Sequence, residues 1–255
     1  MQVYRGGLDV VVNILVLHGM NRPGVNESVR ENFEQLFNDA QLKYHLAFLE
    51  GDTQTLKQVV ELLISKGIKH FNIIPILLFP AKHYFEDIPN ILKDIKRNYP
   101  PMNYIIAEPL GTHQTISNIV KNKIANTLIK NDKVQSVVLL AHGSSTYTEP
   151  RQAVQHLAQS CDVFGIPIQT VLLYGEGNYV EHLEKMLKQY PQTLIVPLFL
   201  RDGYLVQRTK QNIRQQAFAE YVTFASAINF VPDLAKVIKD RINELEVLAN
   251  VCYAS

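Results

Sequence analysis

Two imidazoles and a carboxylate stand at matching places in this chain, each at the end of an apolar run. His18 closes "ILVLHGMN" (14–21), Glu50 closes "AFLEGD" (47–52), and His83 follows "LLFPAKHYFEDIP" (77–89) past a proline, with Glu86 and Asp87 one turn on. Two neutral imidazoles and a carboxylate can hold a borderline divalent cation such as Fe²⁺, Co²⁺ or Ni²⁺. The same groups can move protons near neutral pH. Asp87 lies at i+4 from His83, within reach of its ring on a helix, although an acid at a helix N-terminus is favourable in its own right.

These residues converge only if particular elements carry them. "NILVL" (13–17) is short and uniformly apolar, as a parallel strand covered on both faces must be. Val29, Phe33, Leu36, Phe37 and Ala40 then recur at helical spacing. "YHLAFL" (44–49) reads as the second strand, and Leu56, Val59, Val60, Leu63 and Ile64 as the next helix stripe, with Gly67 past its end. "HFNIIPILLF" (70–79) and "NYIIA" (103–107) read as strands three and four. Helices lined by Ile88, Ile91, Leu92 and Ile95, and by Ile116, Ile119, Val120 and Ile124, follow them. Four successive βα units predict an α/β fold: a four-stranded parallel sheet flanked by helices. In such sheets the carboxyl ends of the strands form the ligand crevice, and His18, Glu50 and His83 all sit at or beyond such ends.

The pattern then repeats. "VVLLAHGSS" (137–145) matches "ILVLHGMN" with His142 at the place of His18, Gly175 matches Gly51, and Pro197 in "LIVPLFL" matches Pro75, at offsets of 124, 124 and 122 residues. The chain therefore reads as an internal duplication, residues 1–130 and 131–255. The second half keeps His142 but has Tyr174 at the place of Glu50 and Leu205 at the place of His83. Residues 1–130 are expected to carry the active site and 131–255 to be a degenerate repeat.

Composition narrows the class. The 255 residues are 47% hydrophobic and 19% charged, enough for a sizeable core. Twenty-five basic and 24 acidic side chains nearly cancel, which argues against nucleic-acid or polybasic membrane binding. No apolar run approaches about 18 residues and the N-terminus lacks signal-peptide features, so a cytoplasmic protein is expected. Cys161 and Cys252 form no CxxC, which speaks against a disulfide framework, a zinc knuckle or an iron–sulfur site. Walker, GxGxxG and GxSxG motifs are absent; Ser144 and Ser145 in "HGSSTY" have no specified histidine or acid partner.

At "LVLHGM", "AFLEGD", "IIPILLFPAKHYFEDIP" and "AEPLGTH" (107–113) the chain resembles the type II tetrapyrrole chelatases in their fused, two-half form. The histidine–glycine start is a weak signal alone; joined to "KHYFEDIP" in the same half it is specific. The resemblance implies two flavodoxin-like, chelatase-like halves facing a central cleft that admits a planar macrocycle. It implies His18 and His83 as catalytic and metal-binding residues, with Glu50 at the family's acidic position. It implies the sirohydrochlorin ferrochelatase reaction: Fe²⁺ enters sirohydrochlorin, two protons leave, and sirohaem forms. Cobalt or nickel insertion, or a non-catalytic carrier of metal or tetrapyrrole, are the alternatives. No cofactor beyond the inserted metal is implied. The substrate's carboxylates call for cations, for which Arg22, Lys43, Lys82, Arg201 and Arg208 are the candidates. Because the duplication supplies both halves, a monomer is expected.

The other candidates read as structural. His113 is expected to cap or pack at the fourth helix, and His45, His70, His156 and His182 fall on strands or helix faces. Cys161 shares a stripe with Val154, Leu157 and Ala158 and reads as a small buried hydrophobe.

Overall fold

The computed structural model describes residues 10–20, 24–37 and 42–252. In the first repeat, strands β1 (Val11–Gly19), β2 (His45–Glu50), β3 (His70–Pro75) and β4 (Asn103–Ile106) alternate with helices α1 (Val25–Gln35), α2 (Leu56–Ser65), α3 (Ile88–Asn98) and α4 (Gln114–Leu128). The second repeat gives β5 (Ser136–Gly143), α5 (Glu149–Ser160), β6 (Ile168–Tyr174), α6 (Tyr179–Gln189), β7 (Thr193–Pro197), α7 (Tyr204–Arg214), β8 (Val222–Phe224) and α8 (Pro232–Cys252).

The two four-stranded sheets are ordered β2-β1-β3-β4 and β6-β5-β7-β8, and every pairing is parallel. Strand order reverses between β1 and β3, and again between β5 and β7. At such switch points two successive crossovers leave toward opposite faces and open a crevice at the carboxyl ends. Each repeat thus builds the same kind of rim.

The central strands owe their uniform apolarity to cover on both faces: Ile14, Leu15 and Val16 of β1 and Phe71, Ile73 and Ile74 of β3 are fully buried. On one face Val12, Ile14 and Val16 pack with Leu56, Val60 and Leu63 of α2 and Ile88, Leu92 and Ile95 of α3; α1 packs on β1 as well. Helix α2 opens with a capping box, in which Thr55 Oγ1 accepts from Gln58 N and Gln58 Oε1 accepts from Thr55 N. Strand β3 ends at Pro75, earlier than the apolar run to Phe79 suggests, although Ile76 N still donates to the Val16 carbonyl of β1 at 2.8 Å. No helix among the described residues is long and apolar enough to cross a membrane.

The compact units cut the chain differently from the repeat at 130/131. One unit comprises residues 1–110 with 235–255; the other comprises 111–234. Helix α4 follows β4 in sequence but belongs to the second unit, where it packs on β7. There Lys123 Nζ donates to Ser226 Oγ at 2.9 Å. Helix α8 follows β8 but belongs to the first unit, where Arg241 Nη2 donates to the Pro109 carbonyl at 3.0 Å. Each unit thus takes its last helix from the other repeat.

Candidate metal and proton-transfer site

Strand β1 delivers His18 to the rim because the next residue is glycine. Gly19 has φ +76, and a Cβ there would lie 2.2 Å from the Glu50 carbonyl oxygen. With no Cβ, the end of β1 lies flush against the end of β2, and Gly19 and Glu50 become register partners. Asn26 locks the junction: its Oδ1 accepts from Met20 N and its Nδ2 donates to the Glu50 carbonyl, both at 2.8 Å. Asn26 thus ties together the ends of β1 and β2, reaching Glu50 across 24 residues of sequence.

His83 arrives from β3 through a π-helical turn, His83–Asp87, in which Ile88 N–H bonds the His83 carbonyl before α3 continues. Such turns recur at functional sites because they displace one residue from the regular helical face. Tyr84, beside His83, hydrogen-bonds Glu108, and its phenol is pushed up by burial and then by the Glu108 charge, with Arg241 of α8 opposing. The turn is thus linked both to the segment after β4 and to the last helix.

His18, Glu50 and His83 converge: one ligand atom from each lies within 4.8 Å of the others. The two imidazole rings meet edge-on, centroids 4.4 Å apart at 84°. Their tautomers are set by what Nδ1 faces. His18 Nδ1–H donates to the Gly19 carbonyl at 2.8 Å, and His83 Nδ1–H donates to Asp87 Oδ2 at 2.6 Å. Both Nε2 lone pairs therefore remain for a cation or a proton, and the His83–Asp87 pair is the carboxylate–histidine arrangement that orients metal ligands. Burial lowers the His83 pKa below the ordinary imidazole value and the His18 charge lowers it further; the Asp87 hydrogen bond and charge, then Glu50, pull the other way. The net effect keeps His83 neutral to lower pH than a free imidazole.

Among the described residues no fourth such group joins the three, so a cation held there would keep coordination positions open, as catalytic metal sites do.

Lys82 is exposed and precedes His83. Lys43 does not join the site rim, a correction to the sequence reading. Its carbonyl accepts from Asn13 Nδ2 ahead of β2, at the amino edge of the sheet. Strands in a parallel sheet share one polarity, so that edge is the far one, about 16 Å from His18 at about 3.3 Å per residue. Arg201 and Arg208 are exposed on the second unit, after β7 and on α7. Arg22 lies outside the described residues. His113 caps α4, its Nδ1 accepting from Thr115 N at 3.2 Å. The Cys161 thiol is fully buried and burial pushes its pKa up, so it is an inert packing residue.

The second unit repeats the cradle without the ligands. Gly143 has φ +74 and pairs with Tyr174, and His142 Nδ1–H donates to the Gly143 carbonyl at 2.9 Å. Leu205, at the place of His83, packs on that unit's apolar core. Among the described residues, His18, Glu50 and His83 are the one cluster of three or more such groups placed to share an ion.

Fold and site together define a class: a duplicated α/β protein with a candidate imidazole–carboxylate cation site on the strand ends of one unit. The CbiX family model matches residues 12–127 and again 136–245, and the chain belongs to that family. It is 26% identical over 94% of its length to a sirohydrochlorin cobaltochelatase of Priestia megaterium, covering 81% of that protein. It is also 26% identical over 78% of its length to a sirohydrochlorin ferrochelatase of the same organism, covering 77% of it. SirB from Bacillus subtilis, solved with Fe³⁺, shares the fold at a TM-score of 0.76 and 22% identity, over 92% of this chain and 94% of that one.

Proposed function

We propose that this chain is a sirohydrochlorin chelatase that inserts Fe²⁺ and releases two protons to form sirohaem. The observation that carries the reading is the convergence of His18, Glu50 and His83 with both Nε2 atoms free, backed by relatives named for this substrate. Metal insertion exchanges two pyrrole N–H bonds for metal–nitrogen bonds, so the site must present a partly dehydrated cation and take up two protons. Glu50 offsets the cation's charge, and the imidazole lone pairs replace waters as they leave. A neutral imidazole Nε2 then accepts a pyrrole proton and passes it to water; His18, the more exposed ring, gives that route. Asp87 keeps the His83 ring in place and stabilises its protonated form.

Cobalt is the second reading, because the donor set takes Co²⁺ as readily and the relatives bear both names. The test is an anaerobic metallation assay with sirohydrochlorin and Fe²⁺ or Co²⁺, followed by visible absorbance. Acceleration over the protein-free rate is expected with Fe²⁺ the faster substrate. Macrocycle binding at the uncatalysed rate would mean a carrier, and preference for Co²⁺ would move the assignment to that metal.

Asp87→Asn adds a pH signature. Removing the carboxylate takes away the two largest influences that raise the His83 pKa, leaving burial and His18 to lower it. The neutral imidazole then persists to lower pH, so the acidic limb of the rate profile should shift toward lower pH. The pH-optimal rate should fall about tenfold or more, as loss of a ligand-orienting partner does. A limb that stays put or moves upward would remove His83 from the rate-determining ionisation.

A further inference from the structure

We infer that the strand ends of the second unit form a binding surface for the flat face of a tetrapyrrole, with Tyr174 as the stacking ring. The inference rests on the chelatase reading and names a substrate-binding residue that the cation site does not include. Duplication left this rim with the same backbone as the first: the tight glycine after the histidine, the same Nδ1–H bond to its carbonyl, the same strand register. What changed is the chemistry it displays. Tyr174 replaces the carboxylate and Leu205 turns the second imidazole position over to packing, so the rim has lost the donors that would hold a bare cation.

What it shows instead is aromatic. Tyr174 is 46% exposed at the end of β6, where a large ring gains nothing from burial in the core. Its centroid lies 4.8 Å from that of His142 at the end of the neighbouring β5, with the rings tilted by 41°. Tyr204, 61% exposed, opens α7 just after the next strand, β7. Single exposed apolar side chains are ordinary; two rings in contact at neighbouring strand ends, with a third exposed ring opening the helix after the next strand, are more than that. His142 Nδ1–H is committed to the Gly143 carbonyl, which leaves Nε2 as an acceptor for a pyrrole N–H. Arg201, exposed between β7 and α7, is placed to fork a carboxylate. Ring faces, an imidazole acceptor and a guanidinium match a planar conjugated polycarboxylate, and match a hydrated metal ion poorly.

The test titrates intact wild-type protein, Tyr174→Ala and Tyr174→Phe with metal-free sirohydrochlorin, and each separately with Co²⁺ alone. Tyr174→Ala should raise the macrocycle Kd about tenfold, the worth of one aromatic stack. Tyr174→Phe should keep wild-type affinity, and Co²⁺ binding should be unchanged in both. Unchanged macrocycle affinity in Tyr174→Ala overturns the inference while the chelatase reading stands, and so does an equal weakening of macrocycle and Co²⁺, which marks general damage. Wild-type protein that binds Co²⁺ but no macrocycle overturns the chelatase reading and this inference with it.

Discussion

His83→Ala should slow metallation by about 10²–10⁴-fold, the usual worth of a positioned acid–base group. The substitution also removes one of the three groups proposed to hold the cation, so the Kd for Co²⁺ should rise in the same protein. Folding should survive, because His83 is only part-buried and its burial disfavours the charged ring rather than anchoring a core. A thermal unfolding curve matching wild type checks that point. His156→Ala, exposed on α5 of the second unit, should leave the rate unchanged. If His83→Ala metallates within a few-fold of wild type, the imidazole neither carries protons nor presents the ion, and the work of the site passes to His18 and Glu50.

Much of this was legible in the chain because parallel α/β architecture writes itself plainly. Strands buried on both faces must be apolar runs, and the helices between them must carry one apolar stripe. The strand ends then follow, and with them the placing of His18 and Glu50 on one rim. The duplication added a check: the offsets that matched His18 with His142 and Glu50 with Tyr174 reappear as identical register, Gly19 with Glu50 and Gly143 with Tyr174. The i+4 spacing of His83 and Asp87 also became a real hydrogen bond, at 2.6 Å.

What was not legible depends on tertiary geometry. "AKHYFED" reads as an ordinary helix start; the π turn changes which carbonyl an amide meets, and that leaves no mark on the apolar stripe of Ile88, Leu92 and Ile95. Asn26 bonds two strand ends that meet only after the sheet forms. Lys43 reads from the sequence as one of the cations near the strand ends, whereas strand polarity puts it at the opposite edge. The hydrophobic stripes of α4 and α8 show that each helix has a buried face; they carry no statement of which sheet that face covers.

Ending the chain after Leu234 should therefore abolish cation binding at a site whose proposed ligands all lie before residue 84. Helix α8 belongs to the first unit and buries Val237, Ile238, Ile242 and Leu245 to 2% exposure or less. At about 1.5–3 kcal/mol for each such side chain, their loss removes about 6–12 kcal/mol, an upper bound since unfolded chains already bury some apolar surface. That is comparable with the whole stability of a typical domain, about 5–15 kcal/mol. Arg241 goes too, and with it the hydrogen bond to the Pro109 carbonyl beside Glu108, the partner of Tyr84 next to His83. The second unit keeps all its elements, including α4, so a cooperative unfolding transition should remain while Co²⁺ binding disappears. A truncated chain that binds Co²⁺ like wild type would return the boundary to the repeat at 130/131. Loss of both transitions would show that the second unit also depends on α8. Loss of binding with one transition retained would mean that the first repeat completes its fold with the second repeat's last helix, and that the half carrying the proposed site cannot be cut free at the point where its sequence ends.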